Sequence, residues 1–211
     1  MYYNKINVEK TRLLPGKCLV SIELIEMKKN GIISGTLNDF AIERDRVNHY
    51  VGRIIKKSDN IKSVKLDDIV IFSQYAGQHI YAESKKMIKL VDEDNLLLRK
   101  YSKKFDIKPK GFKALLNNVY FEYIKENVEK TKSGLILPKG LEKNDSDRPN
   151  YQTLDLLKAY VLSVGEKVKN VKTGDTIFVI EGYQNPIYEL AHNGNEYATV
   201  MEHNIGFILE K

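Results

Sequence analysis

Hydrophobic residues in this chain come in short runs of strand length. Cys18-Leu19-Val20-Ser21-Ile22-Glu23-Leu24 and Val119-Tyr120-Phe121-Glu122-Tyr123-Ile124 are rich in β-branched and aromatic side chains. Ala159-Tyr160-Val161-Leu162-Ser163-Val164-Gly165 and Ile177-Phe178-Val179-Ile180 follow, with a turn expected at Thr173-Gly174-Asp175 between them. Helical periodicity is scarce. Asp94 to Phe105 has room for one or two helical turns, and Leu154 to Lys158 for one. Many short strands punctuated by Gly and Asp predict an all-β barrel or sandwich.

The pattern is written twice. Val64-Lys65-Leu66-Asp67-Asp68-Ile69-Val70-Ile71-Phe72 matches Val171-Lys172-Thr173-Gly174-Asp175-Thr176-Ile177-Phe178-Val179. Val91-Asp92-Glu93-Asp94-Asn95-Leu96-Leu97-Leu98 matches Val200-Met201-Glu202-His203-Asn204-Ile205-Gly206-Phe207, and Asn30-Gly31-Ile32-Ile33-Ser34 answers Ser133-Gly134-Leu135-Ile136-Leu137. Three matches in the same order, with offsets that drift by only a few residues, predict a tandem duplication. The expected units are residues 1–104 and 105–211, with a linker near 100–110.

Each unit has one long gap between strands. In the second it runs from about Asn127 to Asn150 and is rich in Lys, Glu, Asp, Ser and Gly. Gaps of this length inside a compact domain are usually functional or disordered. Leu135-Ile136-Leu137 stands in its middle between Gly134 and Pro138. A short core strand is the plainer reading. Polar flanks that cannot be buried beside it favour the other, an apolar peptide offered to a partner.

Charge changes the picture little. The net charge is +6, with 20 basic against 13 acidic residues in 1–105 (+7) and 14 against 15 in 106–211 (−1). The densest basic run, Arg99-Lys100-Tyr101-Ser102-Lys103-Lys104, reads as a solvated linker. No apolar run reaches the ~18 residues of a membrane span. The first residues lack a signal-peptide core, so a cytoplasmic protein is expected. The single Cys18 excludes disulfides within the chain and multi-thiolate metal sites. Inside an apolar strand it reads as a buried small hydrophobe.

Taken with their order, these segments resemble the GroES-type small co-chaperonins over nearly the whole length of each unit. The family's R-V-[IL]-V strand is matched by Asn118-Val119-Tyr120-Phe121 and Lys17-Cys18-Leu19-Val20, and its G-G-I-[VM]-L loop by Ser133-Gly134-Leu135-Ile136-Leu137. V-x-x-V-G is matched by Val161 to Gly165, V-K-V-G-D-x-V by Val171 to Ile177, and E-x-D-I-L-x-x-[IV] by Glu202 to Ile208. Tyr75-Ala76-Gly77 answers a Y-G-G turn, and Gly182-Tyr183 answers it more loosely. The resemblance implies an all-β chain of two tandem GroES-like, partly open β-barrels. It implies that the chain assembles into a homo-oligomeric ring and caps a GroEL-type chaperonin over unfolded client proteins. ATP would be bound by the partner chaperonin, so this chain needs no cofactor. Gly134, Leu135, Ile136 and Leu137 would dock on the chaperonin, with Gly31, Ile32 and Ile33 as first-unit counterparts. Ser34 stands where a third aliphatic would be.

The chain departs from the family where a roof hairpin belongs: only residues 166–170 separate Gly165 from Val171. Phage-encoded co-chaperonins are similar in this respect, which fits a bacterial or phage-infected host cytoplasm. Three docked aliphatics contribute about 1.5–3 kcal/mol each, against ~1 kcal/mol or more for each loop residue ordered. Several loops on one ring are therefore needed. The resemblance implies a seven-fold ring, which two equivalent barrels per chain cannot fill evenly. Because the halves differ in charge and loop, the second unit is expected to contact the chaperonin and the first to stabilise or extend the cap, either as a second tier of a ring of seven chains or in a ring of four chains with one barrel outside it.

Readings from other classes differ in what they need. No enzyme is expected: His49, His79, His192 and His203 share no metal-ligand spacing, and no Gly-rich nucleotide turn occurs. A small barrel can also bind single-stranded nucleic acid, and Tyr2, Tyr3, Tyr50, Tyr75, Tyr81 and Tyr101 beside basic residues are the candidates for stacking. Those tyrosines follow strand spacing, so a nucleic-acid partner is not expected. A structural or assembly role for a GroES-like barrel is the remaining alternative.

Overall fold

Fifteen short strands form where the apolar runs lie, as described for residues 7–22, 26–29, 32–36, 49–81, 87–124, 156–180, 182–192 and 194–209 of a computed structural model. The first half contributes β1 (Lys17–Ile22), β2 (Glu26–Lys29), β3 (Ile32–Thr36), β4 (His49–Lys57), β5 (Ile69–Ser73), β6 (Gln78–Tyr81), β7 (Met87–Asp92) and β8 (Leu96–Lys100). The second contributes β9 (Lys113–Ala114), β10 (Asn118–Tyr123), β11 (Leu156–Val164), β12 (Thr176–Ile180), β13 (Asn185–Pro186), β14 (Tyr197–Met201) and β15 (Ile205–Leu209). The chain is all-β, with no α-helix among the described residues. All pairings are antiparallel.

The segments expected to hold helical turns are largely extended: one 3-10 turn opens the first, and the described part of the second is strand. Asp94 belongs to a 3-10 turn, Glu93–Asn95, and the chain then enters β8. Leu96-Leu97-Leu98 are consecutive apolar residues without a polar face, and the sheet buries all three. Leu156 to Lys158 open β11, where Leu156 faces Ile180.

The two large sheets share one strand order. The first runs β6-β7-β1-β4-β5-β8-β9, and the second β13-β14-β10-β11-β12-β15. Their irregularities coincide as well. β1 slips register between Leu19 and Val20, and β10 between Tyr120 and Phe121. β5 slips between Ile71 and Phe72, and β12 between Phe178 and Val179. Turn hydrogen bonds repeat too: Ile54 and Val161 amides donate to Asp68 and Asp175 carbonyls, both at 2.9 Å. Asp68 and Asp175 each accept from the amide three residues earlier, at Lys65 and Lys172, both at 2.8 Å. The residue before each aspartate is left-handed, φ 66° at Asp67 and 93° at Gly174. Glycine is the natural occupant of that position, and Asp is among the few others that tolerate it. Among the described residues, the end strands of neither large sheet pair with one another.

Three apolar clusters lie among the described residues. One lies in the first sheet, around Val20, Ile54, Phe72, Val91 and Leu96. Another lies in the second, around Val119, Phe121, Val161, Ile177 and Val200. The third joins them: Val51, Ile69, Ile71 and Leu98 from one half meet Phe112, Tyr120, Ile187 and Tyr197 from the other. Alternation on β10 explains the split, because Tyr120 points away from Val119 and Phe121. Residues 105–116, assigned to the second unit by sequence, bridge the two sheets. β9 pairs with β8, while Leu115 and Leu116 enter the first sheet's cluster.

The basic run at 99–104 is not a free linker. Lys100 Nζ pairs with Asp106 at 2.7 Å, donates to the Lys108 carbonyl and lies 5.4 Å from the Phe112 ring. Arg53 donates to the carbonyls of Asp67 and Ser102. Lys100 thus ties the run to residues 106–112, and Arg53 from β4 holds the run's backbone at Ser102.

Candidate functional site

The connections that carry the two aliphatic motifs join equivalent strands. One runs from β1 to β4, the other from β10 to β11, and in both cases the strands are paired neighbours. Each connection therefore leaves and returns at adjacent points. Ile22 faces Gly52 at the base of the first, and the Gly52 Cα has no room for a side chain, since a Cβ would lie 2.6 Å from the Ser21 carbonyl oxygen. Tyr123 faces Ala159 at the base of the second, and the Ile124 amide donates to the Lys158 carbonyl at 3.0 Å. Phe121 and Tyr123 meet edge to face at 5.2 Å.

Gly134, Leu135, Ile136, Leu137 and Gly31 lie outside the described residues. Ile32 and Ile33 lie on β3, whose backbone pairs them with Lys29 and Lys28 of β2 in a separate two-stranded ribbon. In the first unit Ile32 and Ile33 are thus paired strand residues rather than part of an irregular loop. An apolar pair with a basic pair directly across it reads from sequence as a strand only once the partner is known.

The remaining candidates are mostly structural. Cys18 is fully buried, and burial pushes its thiol up to about 12, which disfavours the reactive thiolate at neutral pH. Of the six tyrosines weighed for base stacking, Tyr2 and Tyr3 lie outside the described residues. Tyr50 is half-buried against Phe72 and His79, with Lys89 Nζ 4.5 Å above its ring. Tyr75 and Tyr101 are exposed. Lys89 was not foreseen: it is a buried lysine whose ammonium donates to the carbonyls of Gln74 and Ala76 at 2.7 and 2.8 Å. It closes the β5–β6 turn, and burial lowers its pKa. Its only mark in the sequence is a charge inside Met87-Ile88-Lys89-Leu90-Val91. Among the described residues no three His, Cys, Asp or Glu side chains stand where they would hold a metal. No described helix is long and apolar enough to cross a membrane.

His49 begins β4 at the return of the first connection and is buried, which lowers its pKa from 6.5 to about 4. A depressed folded-state pKa gives stability that is present above 6.5 and lost as pH falls through 4. A shift of this size is worth about 3 kcal/mol. Denaturant unfolding at pH 7 and pH 4 is expected to show that loss, and His49→Leu to remove most of it. An unchanged pH slope in the variant would overturn the assignment.

No family model matches the chain, and no curated protein matches it.

Proposed function

We propose that the chain is a tandem co-chaperonin of GroES type, each sheet forming a partly open barrel, that caps a GroEL-type chaperonin ring through aliphatic loop motifs. One observation carries this reading: both motifs fall in the same connection of two sheets with the same strand order. A duplicated scaffold thus offers two short apolar segments from equivalent places. Docking of such segments buries a few side chains each, and a ring of copies supplies the multivalency that makes the sum effective. Residues 135–137 are the stronger pair of hands, with three aliphatics against the two at Ile32 and Ile33. The ring and the enclosed clients belong to the same proposal, as does the chain's freedom from cofactors and catalysis.

The test is co-purification with a nucleotide-loaded GroEL-type chaperonin, scored together with refolding of a stringent client. Ile136→Asp is expected to abolish capture while the thermal midpoint stays within a degree or two, because a residue offered to a partner adds little to its own fold. Ile33→Asp is expected to weaken capture less. Failure of the parent chain to bind or to assist refolding would overturn the proposal. Unfolding of Ile136→Asp would place the tripeptide in a core instead.

A further inference from the structure

The segment before β1 and its repeat counterpart before β10 are held in different ways. The pairing registers align residues 11–17 with 112–118, and Lys56, Lys57 and Asp59 with Ser163, Val164 and Glu166. In the second unit two hydrogen bonds draw the segment onto the sheet. The Ala114 amide donates to Ser163 Oγ at 2.8 Å, and the Leu116 amide to Glu166 Oε2 at 3.1 Å. Leu115 between them is 1% exposed. Neither bond can form in the first unit. Lys56 stands in place of Ser163, and an ammonium has no lone pair to accept with. Pro15 stands in place of Leu116 and has no amide to donate.

The first-unit segment is instead pinned at its two ends and arched between them. Lys56 Nζ donates to the carbonyls of Val8 and Glu9 at 2.8 and 3.0 Å, and the Gly16 amide donates to Asn60 Oδ1 at 3.1 Å. Leu14, the counterpart of Leu115, is 73% exposed. The arch encloses a cleft of about 530 Å³, within the ~300–1,000 Å³ of small-molecule sites. Arg12, Leu13 and Pro15 line it from the arch, and Lys56, Lys57 and Asp59 from the end of β4 and beyond. The partners of both lysines are neutral, since Lys57 Nζ donates to the Ile61 carbonyl at 2.7 Å. Among the described residues no ion pair neutralises Arg12, Lys56 or Lys57, and Arg12 makes no hydrogen bond. Each ammonium has three N–H groups, so Lys56 keeps one to offer and Lys57 two. Three cations against the Asp59 carboxylate leave the cleft at +2.

We propose that this cleft binds a small phosphate monoester. A monoester carries a charge of about −1.5 to −2 at pH 7, which matches the cleft, whereas a carboxylate or a single phosphodiester brings only one charge. The guanidinium of Arg12 suits two phosphate oxygens at once, and the two lysines add charge-assisted hydrogen bonds. Leu13 and Pro15 give the rest of the molecule an apolar wall. The second unit has no equivalent site, because its segment is drawn down and Ser163 and Val164 replace the lysines. The duplication thus leaves one copy of this place closed and the other open. The site is separate from the aliphatic motifs, and its test needs no chaperonin.

Titration calorimetry of the full chain with phenyl phosphate, inorganic phosphate, benzoate and an oligothymidylate without terminal phosphates tests this. Phenyl phosphate is expected to bind one per chain, more tightly than inorganic phosphate and far more tightly than benzoate. Arg12→Gln and Lys57→Gln are each expected to weaken it about tenfold, the worth of one hydrogen bond to a charged group. Asp59→Asn removes the opposing charge and is expected to tighten binding, an effect that damage to the fold would not produce. Lys104→Gln, at an exposed lysine outside the cleft, is expected to change nothing. A parent that binds no phenyl phosphate at millimolar concentration would overturn the proposal. So would benzoate binding equally well, or Lys104→Gln costing as much as Arg12→Gln. Tighter binding of the oligothymidylate would overturn it too, and would point to an extended basic surface instead.

Discussion

Replacing Tyr120 by Ala is expected to break the molecule's unfolding into two steps. Tyr120 is buried in the cluster shared by both halves, its ring 6.0 Å from that of Tyr197 and its hydroxyl directed to the Pro109 carbonyl at 3.4 Å. Removing a buried aromatic ring costs about 3–5 kcal/mol, part of it for the cavity left behind. Because the side chain faces away from the second sheet's own cluster, the loss falls on the coupling between halves. Phe121→Ala removes a ring of similar size from the next position and from the second sheet's interior. Calorimetry is expected to show one transition for the parent. Tyr120→Ala is expected to show two, the second sheet keeping most of its own midpoint. Phe121→Ala is expected to lower the second sheet's melting itself. A single unshifted transition in Tyr120→Ala would mean that the shared cluster does not couple the halves.

Gly165→Ala is expected to destabilise the second unit by about 3 kcal/mol, at the upper end of what overpacking costs. A Cβ there would lie 2.2 Å from the Leu116 carbonyl oxygen and 2.6 Å from the Leu115 carbonyl carbon, both backbone atoms that cannot swing aside. The close approach is held by two hydrogen bonds, from the Gly165 amide to the Asn118 carbonyl and from the Lys167 amide to the Leu116 carbonyl. The repeat supplies the control. Ser58 stands at the equivalent position of the first unit, its amide bonded to the Lys17 carbonyl, and it carries a side chain whose hydroxyl meets Asn60 Oδ1. Ser58→Ala is expected to cost 1 kcal/mol or so, the net worth of one hydrogen bond. Urea midpoints of the two variants decide it, and equal effects would show that the crowding at Gly165 relaxes freely.

The strands were legible because their signal is local. Runs such as Val119 to Tyr123 and Ile177 to Ile180 favour extended backbone wherever they lie, and Gly174 before Asp175 marks a left-handed turn by composition alone. The duplication was legible for a related reason, since equivalent turns need equivalent residues. Within the segments expected to hold helical turns, 94–105 and 154–158, the strands at Leu96–Lys100 and from Leu156 on are short apolar stretches for which period cannot separate helix from strand. There, pairing with β5 and β12 decided the outcome.

The aliphatic motifs were visible as residues, and the strand order decided that they share one place in the fold. Sequence also showed that Leu98 and Phe207 are counterparts. It did not show that one is covered and the other bare, because coverage depends on which distant segment reaches the edge. The same holds for Lys100, whose charge reads as solvated until Asp106 and Phe112 fold back onto it. Alternation along a strand tells which residues share a face, and it says nothing of what that face meets. Local propensity therefore determined the elements and their repetition. Nonlocal packing decided which sheet edges are covered within the chain and which, among the described residues, are left bare.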